Sequence, residues 1–171
     1  MTAQLVTAGS ASVDRVPWYP LLNADLMLVV HGTPGPQGSK KAVGTRRSKK
    51  TGKQVTILAE SSKKVEPWRE AVAKTAKEAG FTPMRGPLEV QMVFTLQPPQ
   101  RMPKGRVYPT CYPDFSKLIR STEDALKDLA WGDDAQVVRY LDSGKYYPGQ
   151  HRDALDVPGA VIRVWRLGGA A

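Results

Sequence analysis

The segment between residues 114 and 134 concentrates carboxylates, and two basic segments without any acidic residue precede it. Carboxylate oxygens are the ligands that hard divalent cations such as Mg²⁺ prefer. An acidic cluster beside basic segments suits a metal ion held between carboxylates and phosphates better than it suits direct phosphate binding. For any single acid, a solvated helix face is the simpler interpretation. The acids are Asp114, Glu123, Asp124, Asp128, Asp133 and Asp134.

Two positions in this segment carry the prediction of a metal site. Asp114 follows Pro113 and stands where a helix would begin, so its simplest role is that of a helix N-cap. Asp133 and Asp134 follow Gly132 and come directly before an apolar run, so their simplest role is a polar turn. Carboxylates at the ends of regular elements are held in fixed positions, as a metal centre requires. Taken together, the two positions favour a divalent-metal site.

Basic residues are grouped as well. The chain has 25 lysines and arginines against 16 acids, and this net charge of +9 favours a polyanionic partner. Residues 40–53 mix seven basic residues with glycines, which predicts a basic loop or hairpin. Residues 98–113 form a second basic segment among five prolines. The basic residues of the two segments are Lys40, Lys41, Arg46, Arg47, Lys49, Lys50, Lys53, Arg101, Lys104 and Arg106.

Hydrophobic periodicity predicts the elements that position these side chains. The predicted strands cover residues 25–30, 88–96, 137–141 and 161–167, and residues 54–59 are predicted to be the returning arm of a hairpin. One predicted helix has Pro67 in its first turn and Gly80 just beyond its end, and a second runs from Asp114 to about Leu129. The fold class is therefore predicted as α+β: a small two-layer domain, order β-α-β-α-β-β, with a basic loop or hairpin after the first strand.

Length and composition limit the class of protein. The 171 residues suit one domain, predicted over residues 23–168, with a poorly ordered leader at 1–22 and a tail at 169–171. The single cysteine, Cys111, excludes a disulfide framework and a thiolate zinc cage. No run approaches the roughly 20 apolar residues of a membrane span, and no glycine-rich phosphate-binding motif is present. We therefore expect a cytoplasmic nucleic-acid-binding domain with no membrane partner and no nucleotide cofactor.

The segment from Tyr112 to Tyr147 resembles the RusA-like Holliday junction resolvases. The matching residues are Asp114, Leu118, Asp124-Ala125-Leu126 and Trp131 through Val138, which include Asp133-Asp134-Ala135-Gln136-Val137-Val138. Upstream, the residues from Gly35 to Lys40 resemble the proline-containing basic turn after the first strand of many members. Arg120 stands where the family has a functional lysine, which keeps the charge and changes the shape. Where the family commonly has Asp-x-Asp-Asn-Leu, this chain has Ser116 in place of the second aspartate.

The resemblance implies a metal-dependent, structure-selective endodeoxyribonuclease that hydrolyses phosphodiesters at Holliday junctions or other branched DNA. Mg²⁺, or Mn²⁺, would be held by Asp114 and Asp134 with help from Asp133. Arg120 or Lys117 would neutralise the charge that develops on the phosphate. The two basic segments would hold the DNA arms through backbone phosphates, which position DNA without reading its bases. Ser116 would weaken metal binding and lower the rate.

Helix geometry raises the question of a second subunit. A helix from Asp114 to Leu129 is roughly 22 Å long, which keeps Asp114 away from Asp133 and Asp134 within one chain. Metal ligands lie within about 2–2.5 Å of the same ion. Either the helix is shorter and the following turn folds back, or a two-fold partner brings its opposite end alongside. A homodimer is also expected because a junction needs two cuts and two-fold symmetry is the commonest oligomeric symmetry.

Two other classes of protein remain open at this point. Ser116 favours a non-catalytic protein that binds branched DNA on the same fold. Charge alone favours a basic RNA-binding domain, for which the carboxylates at 114, 133 and 134 would not be required. Cleavage of a four-way junction in the presence of Mg²⁺ separates both alternatives from the nuclease.

Overall fold

The structure is a computed structural model, and it describes residues 24–38, 40–47, 52–60 and 63–168. The predicted leader at 1–22, the tail at 169–171 and the basic residues Lys49 and Lys50 lie outside the described residues. Within the described ranges, the strands are β1 Leu26–His31, β2 Lys40–Arg47, β3 Gln54–Glu60, β4 Leu88–Thr95, β5 Val137–Tyr140, β6 Gly144–Tyr146 and β7 Gly159–Arg166. The helices are α1 Val65–Glu78 and α2 Phe115–Leu126, and a short 3₁₀ turn covers Asp134–Gln136.

The main sheet has the strand order β1-β7-β4-β5, and β6 also pairs with β4. Strand β7 is antiparallel to both β1 and β4. Strands β5 and β6 are parallel to β4 and pair with its two ends, as shown by the partners Leu88 with Val137 and Phe94 with Lys145. At this edge of the sheet lies β5, which begins directly after the 3₁₀ turn that contains Asp134.

The core lies between the helices and one face of the main sheet. Strand β1 alternates between buried and exposed side chains, as expected for a strand with one covered face. The buried indole of Trp68 donates a hydrogen bond to Thr122 Oγ1 at 3.0 Å, which joins α1 to α2 inside this core. This arrangement confirms the predicted two-layer α+β class. Core side chains from the sheet are Leu26, Leu28, Val30, Val90, Met92, Phe94 and Ile162, and those from the helices include Val72, Leu118 and Leu126.

The second face of β4 is buried as well, but its chemistry is partly polar. Gln91 and Thr95 are fully buried there. Arg163 donates to Gln91 Oε1 at 2.7 Å and to Asp153 Oδ1 at 2.7 Å. Burial alone would raise the pKa of Asp153, but the Arg163 hydrogen bond and charge outweigh burial and hold that pKa below its usual value. These contacts fasten the connection between β6 and β7 onto the sheet.

Several predicted boundaries change in the structure. The basic hairpin is confirmed, because β2 and β3 pair as an antiparallel two-stranded sheet. The second helix ends at Leu126 rather than Leu129, because the chain turns at Asp128, which has a φ of 63°. Strand β6 was missed, since its three residues are too few to show a two-residue period. None of the helices in the described ranges is long and apolar enough to span a membrane.

Candidate functional site

Asp114 stands at the N-cap position of α2, but it does not cap the helix. Its backbone is extended, with φ −68° and ψ 134°, and its side chain makes no capping hydrogen bond. Its carboxylate Oδ2 instead lies 3.0 Å from Lys117 Nζ, and the Asp114 side chain is 56% exposed. The helix does not need this carboxylate for its hydrogen bonds, so the capping interpretation is wrong and the carboxylate is available to a ligand.

The backbone at the start of α2 is held from two sides. Lys145 on β6 donates to the carbonyl oxygens of Cys111 at 2.6 Å and Pro113 at 2.7 Å. The ring of Phe115 packs edge-on against Phe94 of β4, with ring centroids 6.2 Å apart. Charge-assisted bonds to carbonyls and an aromatic contact together position Asp114 without using its side chain.

Ser116, Lys117 and Arg120 are exposed along the first two turns of α2. Residues three or four apart share a helix face, so Ser116 and Arg120 lie on one face, and Glu123 continues it. The predicted transition-state cations therefore lie on the solvent side of the helix, close to the Asp114 end.

Asp134 lies at the other side of the predicted site and is held by a buried indole. Trp131 Nε1 donates to Asp134 Oδ1 at 3.0 Å, and Trp131 is fully buried. Trp131 therefore packs under the turn rather than reaching DNA. Its hydrogen bond orients the Asp134 carboxylate, as outer hydrogen bonds orient metal ligands in proteins.

Asp133 has a structural role of its own. Its Oδ1 accepts a hydrogen bond from the backbone N–H of Ala135 at 2.9 Å, and its own N–H donates to Gln136 Oε1 at 3.0 Å. Gln136 Nε2 donates in turn to the carbonyl oxygens of Met84 and Gly86, each at 3.0 Å. The polar-turn interpretation is therefore confirmed for Asp133, and its contribution to a metal site stays a prediction.

Glu123 is a half-buried carboxylate that feels the charge of Asp134, and the sequence analysis gave it no role. Tyr140 on β5 donates its hydroxyl hydrogen to Glu123 Oε1. Burial raises the pKa of Glu123, the hydrogen bond from Tyr140 lowers it, and the charge of Asp134 raises it further. Burial and then the Glu123 contact also raise the pKa of Tyr140. The position of Glu123, three residues after Arg120, is the signal that places it on this face.

The two ends of α2 carry different parts of the predicted metal site. The charge of Asp134 raises the pKa of Glu123, so these two carboxylates interact. Glu123 is nine residues after Asp114, which corresponds to a rise of about 13.5 Å along a helix. Within the described residues, no three His, Cys, Asp or Glu side chains gather so that they could hold a metal ion. The carboxylates have the right chemistry for a hard cation, but one described chain does not assemble a three-residue set.

Other charged residues divide between scaffold and surface. Asp124 forms an ion pair with Arg69 of α1, and Arg69 also donates to Gln37 Oε1 at 2.7 Å. Asp124 thus joins the two helices. In the two basic segments, the exposed basic side chains that the structure describes are those of Arg46, Arg47, Lys53, Arg101 and Lys104, and Arg106 is half-buried. Lys40 and Lys41 lie on β2.

Comparison with known protein families identifies the family of this chain. A family model described as endodeoxyribonuclease RusA matches residues 37–162. No curated protein matches the chain. The matched range covers the basic hairpin, both helices and the Asp114 and Asp134 positions, so the chain belongs to the RusA endodeoxyribonuclease family. Membership confirms the resemblance and implies an endonuclease that resolves Holliday junctions.

Proposed function

We propose that this RusA-family chain is a metal-dependent, structure-selective endodeoxyribonuclease that hydrolyses phosphodiesters at Holliday junctions or other branched DNA. The observation that carries the proposal is the Asp114 carboxylate, which stands exposed at a helix start without capping it. An exposed carboxylate that does not cap its helix, in a chain with two basic segments, fits a role toward metal and phosphate better than a role in stability.

Asp114 and Asp134, helped by Asp133, would hold Mg²⁺ or Mn²⁺ through carboxylate oxygens. When bound there, the ion would polarise the scissile phosphate and lower the pKa of the attacking water. Trp131 fixes the direction of one Asp134 oxygen, which leaves the second oxygen for ligation. Ser116 would contribute a neutral hydroxyl, which is a weaker ligand than the aspartate of the family pattern.

Lys117 and Arg120 would supply the positive charge for the phosphate. Lys117 already contacts Asp114, so substrate binding would place its ammonium between the carboxylate and a phosphate oxygen. Arg120 is exposed one turn further along the helix, where its guanidinium can donate two hydrogen bonds to a phosphate. Donors already directed at the developing negative charge stabilise the transition state most effectively.

The two basic segments would hold the arms of the junction. Arg46 and Arg47 are exposed at the end of β2, and Lys53 is exposed directly before β3. Phosphate contacts of this kind give affinity and orientation without sequence preference. We therefore expect recognition of DNA shape, with the cut placed by the position of the arms.

We further propose a homodimer in which the active site is shared. Asp114 precedes the first turn of α2, whereas Glu123, whose pKa the charge of Asp134 raises, lies a rise of about 13.5 Å further along the helix. A two-fold partner could place its Asp134 beside this chain's Asp114. A two-fold dimer also presents two sites to the two strands that a junction resolvase must cut.

Cleavage of a synthetic four-way junction during a Mg²⁺ titration tests the function. The wild-type protein should nick the junction, and Asp134→Asn should lose this activity while still binding the junction. The matched control is Asp128→Asn. Asp128 is an exposed acid in the same segment, and its positive φ is one that asparagine also adopts readily. Binding without cleavage by wild-type protein would favour the non-catalytic alternative, and a preference for RNA over the junction would favour the RNA-binding alternative.

A further inference from the structure

The segment of residues 98–113 also carries exposed apolar side chains, which have no part in the proposed metal and phosphate contacts. Four large apolar side chains are exposed on it: Met102 at 44%, Val107 at 63%, Tyr108 at 57% and Tyr112 at 63%. Single exposed apolar residues are common on proteins, but a group of them on one short segment marks an interaction surface.

The segment is held against the body of the protein. Lys145 bonds the carbonyls on both sides of Tyr112, and Gln150 donates to the carbonyl of Val107. Pro109, between the two tyrosines, is buried. The two exposed tyrosines are therefore presented by a fixed backbone, which reduces the entropy lost when they bind a partner.

The chemistry of the segment identifies the partner. Residues 98–113 contain Arg101, Lys104 and Arg106 and no acid. A surface that combines flat aromatic rings with positive charge fits nucleic acid whose bases are free to stack, because rings contact the bases while cations contact the phosphates. An intact duplex arm offers the phosphates but keeps its base faces covered.

The tyrosines lie close to the predicted cleavage site. Tyr112 is two residues before Asp114, so their Cα atoms lie within about 7 Å. Lys145, the neighbour of Tyr146 on β6, donates to the carbonyl oxygens on both sides of Tyr112, which holds this part of the segment against β6. The Tyr146 ring stacks on His151, with ring centroids 4.8 Å apart. An aromatic surface thus borders the segment that ends at Asp114.

We propose that Tyr108 and Tyr112 stack on bases at the branch point of the DNA, next to the phosphate that is cleaved. This inference rests on the proposed function, because bases at a branch point lose a stacking neighbour when the arms separate. Arg101, Lys104 and Arg106 would hold the flanking phosphates. The stacking contacts would make the protein bind a junction more tightly than a duplex with the same number of phosphates.

The test compares junction and duplex binding by the full chain in EDTA, which prevents cleavage. The Tyr108→Ala/Tyr112→Ala variant should bind a four-way junction about tenfold more weakly or worse, because stacking contributes about fivefold or more in affinity per base and two rings are removed. Its affinity for linear duplex should change by less than about twofold. The Phe variants at both positions should bind like wild type, since the ring is kept. Phe81→Ala, an exposed aromatic outside the segment, is the control.

A fluorescent base gives a second readout. With 2-aminopurine at the branch point, wild-type protein and the Phe variant should quench the fluorescence by stacking, and the Ala variant should not. The inference would be overturned if the Ala variant bound junction and duplex equally weakly, or if its junction binding were unchanged. It would also be overturned if the Ala variant lost a dimer that wild-type protein forms in sedimentation, because the tyrosines would then contact a second copy of the chain. If wild-type protein cleaves junctions and the Ala variant binds and cleaves them equally well, the stacking role is refuted and the proposed function stands. A wild-type protein that neither prefers nor cleaves junctions would remove both.

Discussion

The two ends of helix α2 hold carboxylates in opposite ways. At the N-terminal end, the Asp114 side chain is exposed, caps nothing and contacts Lys117, while Lys145 and Phe115 fix the backbone beneath it. Glu123, in the last turn of α2, and Asp134, eight residues after the helix ends, are half-buried. Asp134 accepts a hydrogen bond from Trp131, and Glu123 accepts one from Tyr140. The Asp114 carboxylate is positioned through its backbone and one solvent-exposed ion pair, whereas the other two accept hydrogen bonds from the side chains of the fold.

This difference separates function from stability. A side chain that contributes nothing to the fold can be replaced with little change in stability, so any loss of activity reports its chemistry. Asp134 and Glu123 accept hydrogen bonds from side chains of the fold, so we expect their replacement to change both activity and stability. The comparison therefore predicts different outcomes for substitutions at the two ends.

The largest effect is expected from removing the ligand charges. Asp114→Asn and Asp134→Asn should each lower junction cleavage by about 100-fold or more, because a bound metal supplies several kcal/mol of transition-state stabilisation. Thermal unfolding of Asp114→Asn should match that of wild type within about 0.5 kcal/mol, since the side chain is exposed. A large loss of stability in Asp114→Asn, with cleavage retained, would reverse the proposed roles of the two ends.

A smaller effect is expected from the support beneath Asp114. Lys145→Met keeps the length of the side chain but removes two charge-assisted bonds to the backbone before Asp114. Cleavage should fall about tenfold, the lower end of the effect seen when residues that orient metal ligands are changed. Lys127→Met, an exposed lysine after the last turn of α2, is the control. Equal activity of the two variants would show that Asp114 is positioned by other contacts.

Ser116→Asp sharpens the comparison by adding a carboxylate to the exposed end. If the site lacks a ligand there, the variant should reach half-maximal cleavage at a several-fold lower Mg²⁺ concentration. Ser116→Asn, of similar size and without charge, is the matched comparison. Abolished cleavage in a folded Ser116→Asp protein would show that a second carboxylate is unwelcome at this position.

The smallest effect is expected in the pH dependence of stability. The raised pKa of Glu123 means that the folded state favours the protonated carboxyl, so its stabilising contribution is present at low pH and is lost as pH rises through the folded-state pKa. Glu123→Gln resembles the protonated form. Its melting temperature should therefore match wild type near pH 4 and rise above it as pH increases. A difference that stays constant with pH would contradict this sign.

Local sequence patterns predicted most of the helices and strands. The contacts that position the candidate site residues join parts of the chain that are distant in sequence, and these were not predicted. The alternation of apolar residues from Leu88 to Leu96 was enough to predict β4. It did not predict that the second face of this strand is buried too, because Gln91 and Thr95 on that face are polar and are covered through contacts distant in sequence. Pro113 and Asp114 were enough to predict where α2 begins, but a proline before a helix does not reveal whether the next side chain turns toward the helix, and the structure shows no capping hydrogen bond from Asp114. Lys145 and Tyr140 were not predicted at the site because they reach α2 only through pairing of β5 and β6 with β4.

The claim that both ends of α2 serve one active site is tested most directly by mixing two inactive proteins. Asp114→Asn and Asp134→Asn are combined under conditions that exchange subunits, and junction nicking is measured. With a shared site, each heterodimer contains one doubly damaged site and one intact site, so nicking should reappear in proportion to the heterodimer. Demonstrated heterodimers that remain inactive would contradict the account, because each chain would then have to supply both carboxylates to its own site.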